Sequence, residues 1–78
     1  RLGDESFSHI SFESVNLFTT SIETHLRFMM EPSRRAMVHV EADLLSASRM
    51  SDRLSVEFSE AISLRLNRLK TGLKKLGN

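Results

Sequence analysis

The feature that most constrains the fold is a long stripe of mostly apolar residues in the second half of the chain. From Met37 to Phe58 its members follow one another at alternating steps of three and four residues, and Ser51 is the one polar member. After one extra step of four, the alternation resumes at Ile62. This spacing places the stripe on one face of a helix and is typical of a coiled coil, in which the extra step is a stutter that locally unwinds the supercoil. We therefore predict one helix over about residues 32–76.

A shorter stripe precedes the long one, over about residues 9–31. Apolar residues recur there at steps of three, four or seven. Strand signals are missing, because apolar residues do not alternate with polar ones and no Asn-Gly or Asp-Gly turn occurs. The predicted fold class is all-α, with a shorter helix followed by a long one. The first stripe consists of Phe12, Val15, Ile22, Leu26 and Met29, and the candidate N-caps are Asp4, Ser6 and Ser8.

The only proline, Pro32, lies between the two stripes. Proline lacks a backbone donor, its ring crowds the carbonyl of Phe28, and it moves Glu31 away from helical dihedral angles. The stripe nevertheless keeps its phase across this site through Ser33, and the stretch has no Gly, Asn or Asp to form a tight reversal. These features favour a kinked or sharply cornered helix at Pro32, and a closed helical hairpin is the alternative.

The unequal lengths of the two predicted helices indicate association. At 1.5 Å per residue the second helix would be about 65 Å long and the first about 30 Å, so the first could cover less than half of the second. Val38, Leu45 and Val56 also lie on a flank beside the main stripe, and such a wide apolar arc suits a helix with two or more neighbours. We expect a coiled-coil or helical-bundle oligomer, for example a homotetramer, or a complex with a related helical chain. Its predicted interface is formed by Met37, Val40, Leu44, Leu54, Phe58, Ile62, Leu66, Leu69, Leu73 and Leu76.

The charge distribution suggests a second kind of partner. The net charge is only +1, but residues 1–31 hold five acids whereas residues 65–78 hold five cations and no acid. Basic amphipathic helices bind nucleic acid, anionic membranes or grooves of acidic proteins. The simpler interpretation is that cations near a helix C-terminus complement the macrodipole and that the leucines end the apolar seam. The candidate contacts to an acidic partner are Arg65, Arg68, Lys70, Lys74 and Lys75.

No catalytic or metal-binding pattern accompanies these helices. His39 and Asp43 are four residues apart and could face one ion from a helix, but two ligands make a weak site and no third is indicated nearby. A solvated helix face carrying an i,i+4 pair is the simpler interpretation. No G-x-S-x-G, Gly-rich phosphate loop or H-E-x-x-H motif occurs. We expect no enzyme activity, cofactor, metal or small-molecule substrate.

Length and composition complete the prediction. The 78 residues form one module, and the start at Arg1 rather than methionine leads us to expect a fragment of a larger protein. The absence of cysteine fits a reducing, intracellular compartment, either nucleus or cytoplasm. We predict a non-enzymatic oligomerisation or scaffold module that joins copies of a larger protein or a related helical partner. The alternatives are a binding module for an acidic partner and a small helical adaptor or chaperone in a hetero-complex.

Overall fold

The computed structural model describes residues 10–77 except Met30 and Pro32. These residues form three α-helices and no strand: α1 (Phe12–Arg27), α2 (Arg34–Ser51) and α3 (Val56–Gly77). The predicted all-α class is confirmed. Each helix packs against both of the others, so the described part of the chain is a three-helix bundle.

Serine side chains set the starts of the first two helices. The hydroxyl oxygen of Ser11 accepts a hydrogen bond from the backbone N–H of Ser14 at 3.1 Å, and that of Ser33 accepts one from the N–H of Ala36 at 3.1 Å. Each bond satisfies one of the backbone donors that the first turn of a helix leaves unpaired. The predicted caps Asp4, Ser6 and Ser8 lie outside the described residues.

The prediction of one continuous helix over residues 32–76 is wrong. The chain forms two helices there, α2 and α3, separated by a turn. After Ser51 the chain makes a tight turn. The N–H of Asp52 donates to the carbonyl four residues earlier, and the N–H groups of Arg53 and Leu54 donate to carbonyls three residues earlier. Helix α3 begins at Val56. Serine and aspartate are poor residues for a helix interior, because their side chains compete for backbone hydrogen bonds. The turn then allows α3 to fold back and bury apolar surface that a continuous helix would expose.

The directions of the helices follow from contacts at their ends. The rings of Phe12 and Phe58, near the starts of α1 and α3, lie 4.6 Å apart between centroids, so these helices run in the same direction. At the other end, the sulfur of Met37 lies 3.8 Å from where a Cβ on Gly77 would be. The start of α2 is therefore beside the end of α3, and the bundle runs up, down and up.

The same topology decides how the chain passes between α1 and α2. Because α1 is parallel to α3 and α2 is antiparallel to it, the chain reverses direction between Phe28 and Ser33. This is the arrangement of the helical hairpin, rather than of one kinked helix. The predicted kink at Pro32 itself falls outside the described residues.

The three helices enclose one hydrophobic core. Its polar members are satisfied, since the hydroxyl of Thr19 donates to the carbonyl of Val15 at 2.8 Å and that of Ser51 reaches the hydroxyl of Ser59 at 3.2 Å. Burial of these apolar side chains is the main source of stability in a chain with no disulfide. The buried apolar residues are Val15, Ile22, Val40, Leu44, Ala47, Ile62, Leu66 and Leu73.

Candidate protein-interaction groove

An open groove of about 780 Å³ runs between α2 and α3. No residue of α1 lines it, so it lies on the side of the α2–α3 seam that α1 leaves uncovered. We call it the α2–α3 groove. Its apolar lining consists of Met37, Val38, Leu44, Leu45 and Leu73, and its charged lining of Arg34, Glu41, Lys70 and Lys74.

A second stripe of α2 forms one wall of the groove. Arg34, Val38, Glu41, Leu45 and Ser48 follow one another at steps of four, three, four and three, which keeps them on one helix face beside the core-facing stripe. Val38 is 56% exposed and Leu45 is 54% exposed. Both residues were predicted to lie on a flank of the main stripe. The structure places these two in the groove, whereas Val56, the third predicted member of that flank, does not line it.

The opposite wall comes from the last two turns of α3. Lys70 and Lys74 are four residues apart and therefore share one edge of the helix. Leu73 reaches from the core to the floor of the groove between them. The groove thus has an apolar floor, a half-exposed apolar wall and a basic rim.

Of the ten residues predicted at an oligomer interface, five are buried in the core of the bundle and three are partly buried against it. The reason is the turn after Ser51: it folds α3 onto α1 and α2, so the argument from a helix too long to be covered no longer applies. Phe58 and Leu76 are exposed, and Met37, Leu54 and Leu69 are partly buried against the core. Those in the core are Val40, Leu44, Ile62, Leu66 and Leu73, of which Leu44 and Leu73 also reach the groove.

The five cations predicted to contact an acidic partner do not share one face. The guanidinium of Arg65 is directed to α1, where it donates to the Asn16 side chain, to the Thr20 hydroxyl at 3.3 Å and to a Glu23 carboxylate oxygen at 3.1 Å. This cation therefore ties α1 to α3. Lys70 and Lys74 line the groove, whereas the helical period turns Arg68 and Lys75 away from it.

Other kinds of site find little support in the described residues. No group of three or more His, Cys, Asp or Glu side chains among them could hold a metal ion. None of the three helices, as far as the structure describes them, is long and apolar enough to cross a membrane.

Comparison with known proteins adds no functional information. No protein-family model, curated protein or solved structure matches the chain. Function is therefore inferred from the groove and its chemistry.

Proposed function

We propose that this chain is a non-enzymatic interaction module that binds a helix of another polypeptide in the α2–α3 groove. The observation that carries this proposal is the half-exposed pair Val38 and Leu45 beside a core that is already closed. Neither side chain is needed to fill the bundle, and each would lose exposed apolar area on binding. An apolar crevice between two helices is the usual receptor for an amphipathic helix.

The dimensions of the groove suit one further helix. The wall from Arg34 to Ser48 spans about 21 Å at 1.5 Å per residue, or about four helical turns. A helix lying on the seam of two others packs at about 8–10 Å from each axis and completes a four-helix bundle. The proposal keeps the predicted role of joining polypeptides but moves the joining surface from the core stripe to its flank.

Binding of nucleic acid or an anionic membrane through α3 is the weaker proposal. It requires several cations on one accessible face. Arg65 already bonds to α1, and Lys70 and Lys74 lie on a different side of α3 from Arg68 and Lys75. A small adaptor in a hetero-complex, by contrast, agrees with the groove, because the partner then supplies the missing helix.

The test uses a synthetic amphipathic peptide of about 18 residues, long enough for the four turns of the wall. Its apolar stripe is leucine and its other face carries equal numbers of acids and bases. We expect the full chain to bind it in a fluorescence anisotropy titration. The double variant Val38→Asp/Leu45→Asp should bind at least about tenfold more weakly, which is about 1.4 kcal/mol, because it places carboxylates against the apolar face of the peptide.

The matched control is Leu64→Asp, which adds a carboxylate at an exposed leucine of α3 outside the groove. It should bind as the unmodified chain does. Equal weakening by the control and by the double variant, with both folded by circular dichroism, would show that the peptide binds elsewhere. Absence of any binding to a folded, monomeric unmodified chain would contradict the proposed function.

A further inference from the structure

We propose that the helix bound in the α2–α3 groove is an acidic amphipathic helix of a different protein, an inference that rests on the proposed function and specifies its partner. The charged lining consists of three cations and one acid. A partner helix that places carboxylates along the edges of its apolar stripe would match this rim.

The cations of the rim are free to pair. No ion pair joins Arg34, Lys70 or Lys74 to a carboxylate of the described residues, whereas Arg65 is held by Glu23. None of these three side chains donates a hydrogen bond to another of the described residues, whereas Arg65 donates three. Arg65 is therefore paired within the fold, where it joins α1 to α3, and the three cations of the groove remain available to pair with a ligand.

The antiparallel arrangement of α2 and α3 concentrates positive charge at one end of the groove. It brings Arg34, in the first turn of α2, to the same end of the groove as Lys74, in the last turn of α3. Lys74 complements the negative end of the α3 dipole, but Arg34 lies at the positive end of α2, where no acid accompanies it in the first turn. Helix stability thus does not account for Arg34, whereas an acidic ligand in the groove would.

A second copy of the chain fits this surface less well. Two copies joined through their grooves with twofold symmetry would bring the same excess of cations from each side. Antiparallel pairing of the α2 walls would set Val38 against Leu45 of the other copy favourably, but would place the two Glu41 carboxylates near the symmetry axis. Like charges facing each other in an interface disfavour that pairing, so charge selects an acidic partner over self-association.

The experiment compares three versions of the peptide with the same leucine stripe and with acidic, balanced or basic flanks. In low salt, we expect the acidic version to bind the full chain at least about tenfold more tightly than the balanced one and the basic version to bind most weakly. This acidic preference should shrink as salt is raised, because the rim is exposed to solvent. The double variant Lys70→Gln/Lys74→Gln should remove most of the preference.

The matched control is Arg68→Gln/Lys75→Gln, which removes the same charge from α3 outside the groove. It should keep the preference. Equal affinities for acidic and balanced peptides would overturn this inference but leave the proposed function standing, and a failure of every version would overturn both.

Two further outcomes would also contradict an acidic helix as the partner. One is salt-dependent binding of a DNA duplex or of phosphatidylserine vesicles that both double variants weaken alike, which would assign the cations to a nucleic acid or a membrane. The other is a dimer in sedimentation that Val38→Asp/Leu45→Asp dissociates and Leu64→Asp does not, which would assign the groove to a second copy.

Discussion

Truncation of Ile62 to alanine should remove a large part of the stability of the bundle. Ile62 is 0% exposed and lies in the core shared by the three helices. The change deletes three carbon groups, which costs about 2.4 kcal/mol at about 0.8 per group. The unfilled space raises the total to about 3–4 kcal/mol. A chain of 78 residues has about 4–12 kcal/mol of stability at about 0.05–0.15 per residue.

The measurement is urea unfolding followed by circular dichroism at 222 nm, with the free energy of unfolding extrapolated to water. The matched control is Leu64→Ala. Leu64 lies two residues further along α3 and is 62% exposed, so its truncation should cost no more than about 0.5 kcal/mol. Two side chains of equal carbon count, half a helical turn apart, should therefore differ by about 3 kcal/mol.

The concentration dependence of unfolding separates this account from an intermolecular seam. If Ile62 packs within its own chain, the urea midpoint should not change over a hundredfold range of protein concentration. If it packs against another copy, the midpoint should rise with concentration. A difference below about 1 kcal/mol between Ile62→Ala and Leu64→Ala, or a midpoint that moves with concentration, would refute the reasoning.

Three further substitutions test individual contacts by the same unfolding assay. Arg65→Met should cost about 1 kcal/mol and lose part of its effect in high salt, because the bond to Glu23 is partly exposed and screened; no change in stability would show that this tie between α1 and α3 is idle. Ser33→Ala should cost about 1 kcal/mol by removing the cap of α2, and Ser33→Asp should restore it. Ser51→Ala should cost about 0.5–1.5 kcal/mol, because the buried hydroxyl bonds to Ser59 across the turn into α3; an unchanged midpoint would contradict that role.

The helical class and the core face could be predicted from the sequence because both depend on local spacing. Val15, Ile22, Val40, Leu44 and Ile62 all belong to the predicted stripes and are all buried. Periodicity reports which residues share a face of a helix. A hydrophobic face must be buried, either by another part of the same chain or by a second chain. Periodicity does not report whether the covering helix belongs to the same chain.

The turn between α2 and α3 was missed because the apolar phase continues through it. Ser51 and Leu54 keep the heptad step while the backbone leaves the helix. Two signals were available: the polar, helix-disfavouring stretch from Ser51 to Ser55, and the extra step between Phe58 and Ile62, which α3 can tolerate because its phase is independent of that of α2. Together these signals fit two separate helices as well as they fit one helix with a stutter.

The groove and the role of Arg65 depend on tertiary contacts that spacing cannot show. Val38 and Leu45 can be recognised as a flank, but which flank α1 covers is decided by packing. Arg65 looks like one more cation of a basic tail, and only the fold brings it to Asn16 and Glu23 on α1. The site was therefore predictable as apolar surface and not as a groove.

The distance between the start of α2 and the end of α3 tests the central claim most directly. The chain contains no cysteine, so the double variant Arg35→Cys/Lys75→Cys carries two spin labels at exposed positions. Pulsed electron–electron double resonance on labelled protein diluted with unlabelled chain then measures the distance between the labels within one molecule. Antiparallel packing of α2 and α3 predicts one distribution below about 30 Å, since packed helix axes are about 8–10 Å apart. A distribution near 60 Å, which is about 40 residues at 1.5 Å each, would show a continuous helix and contradict the bundle and its groove.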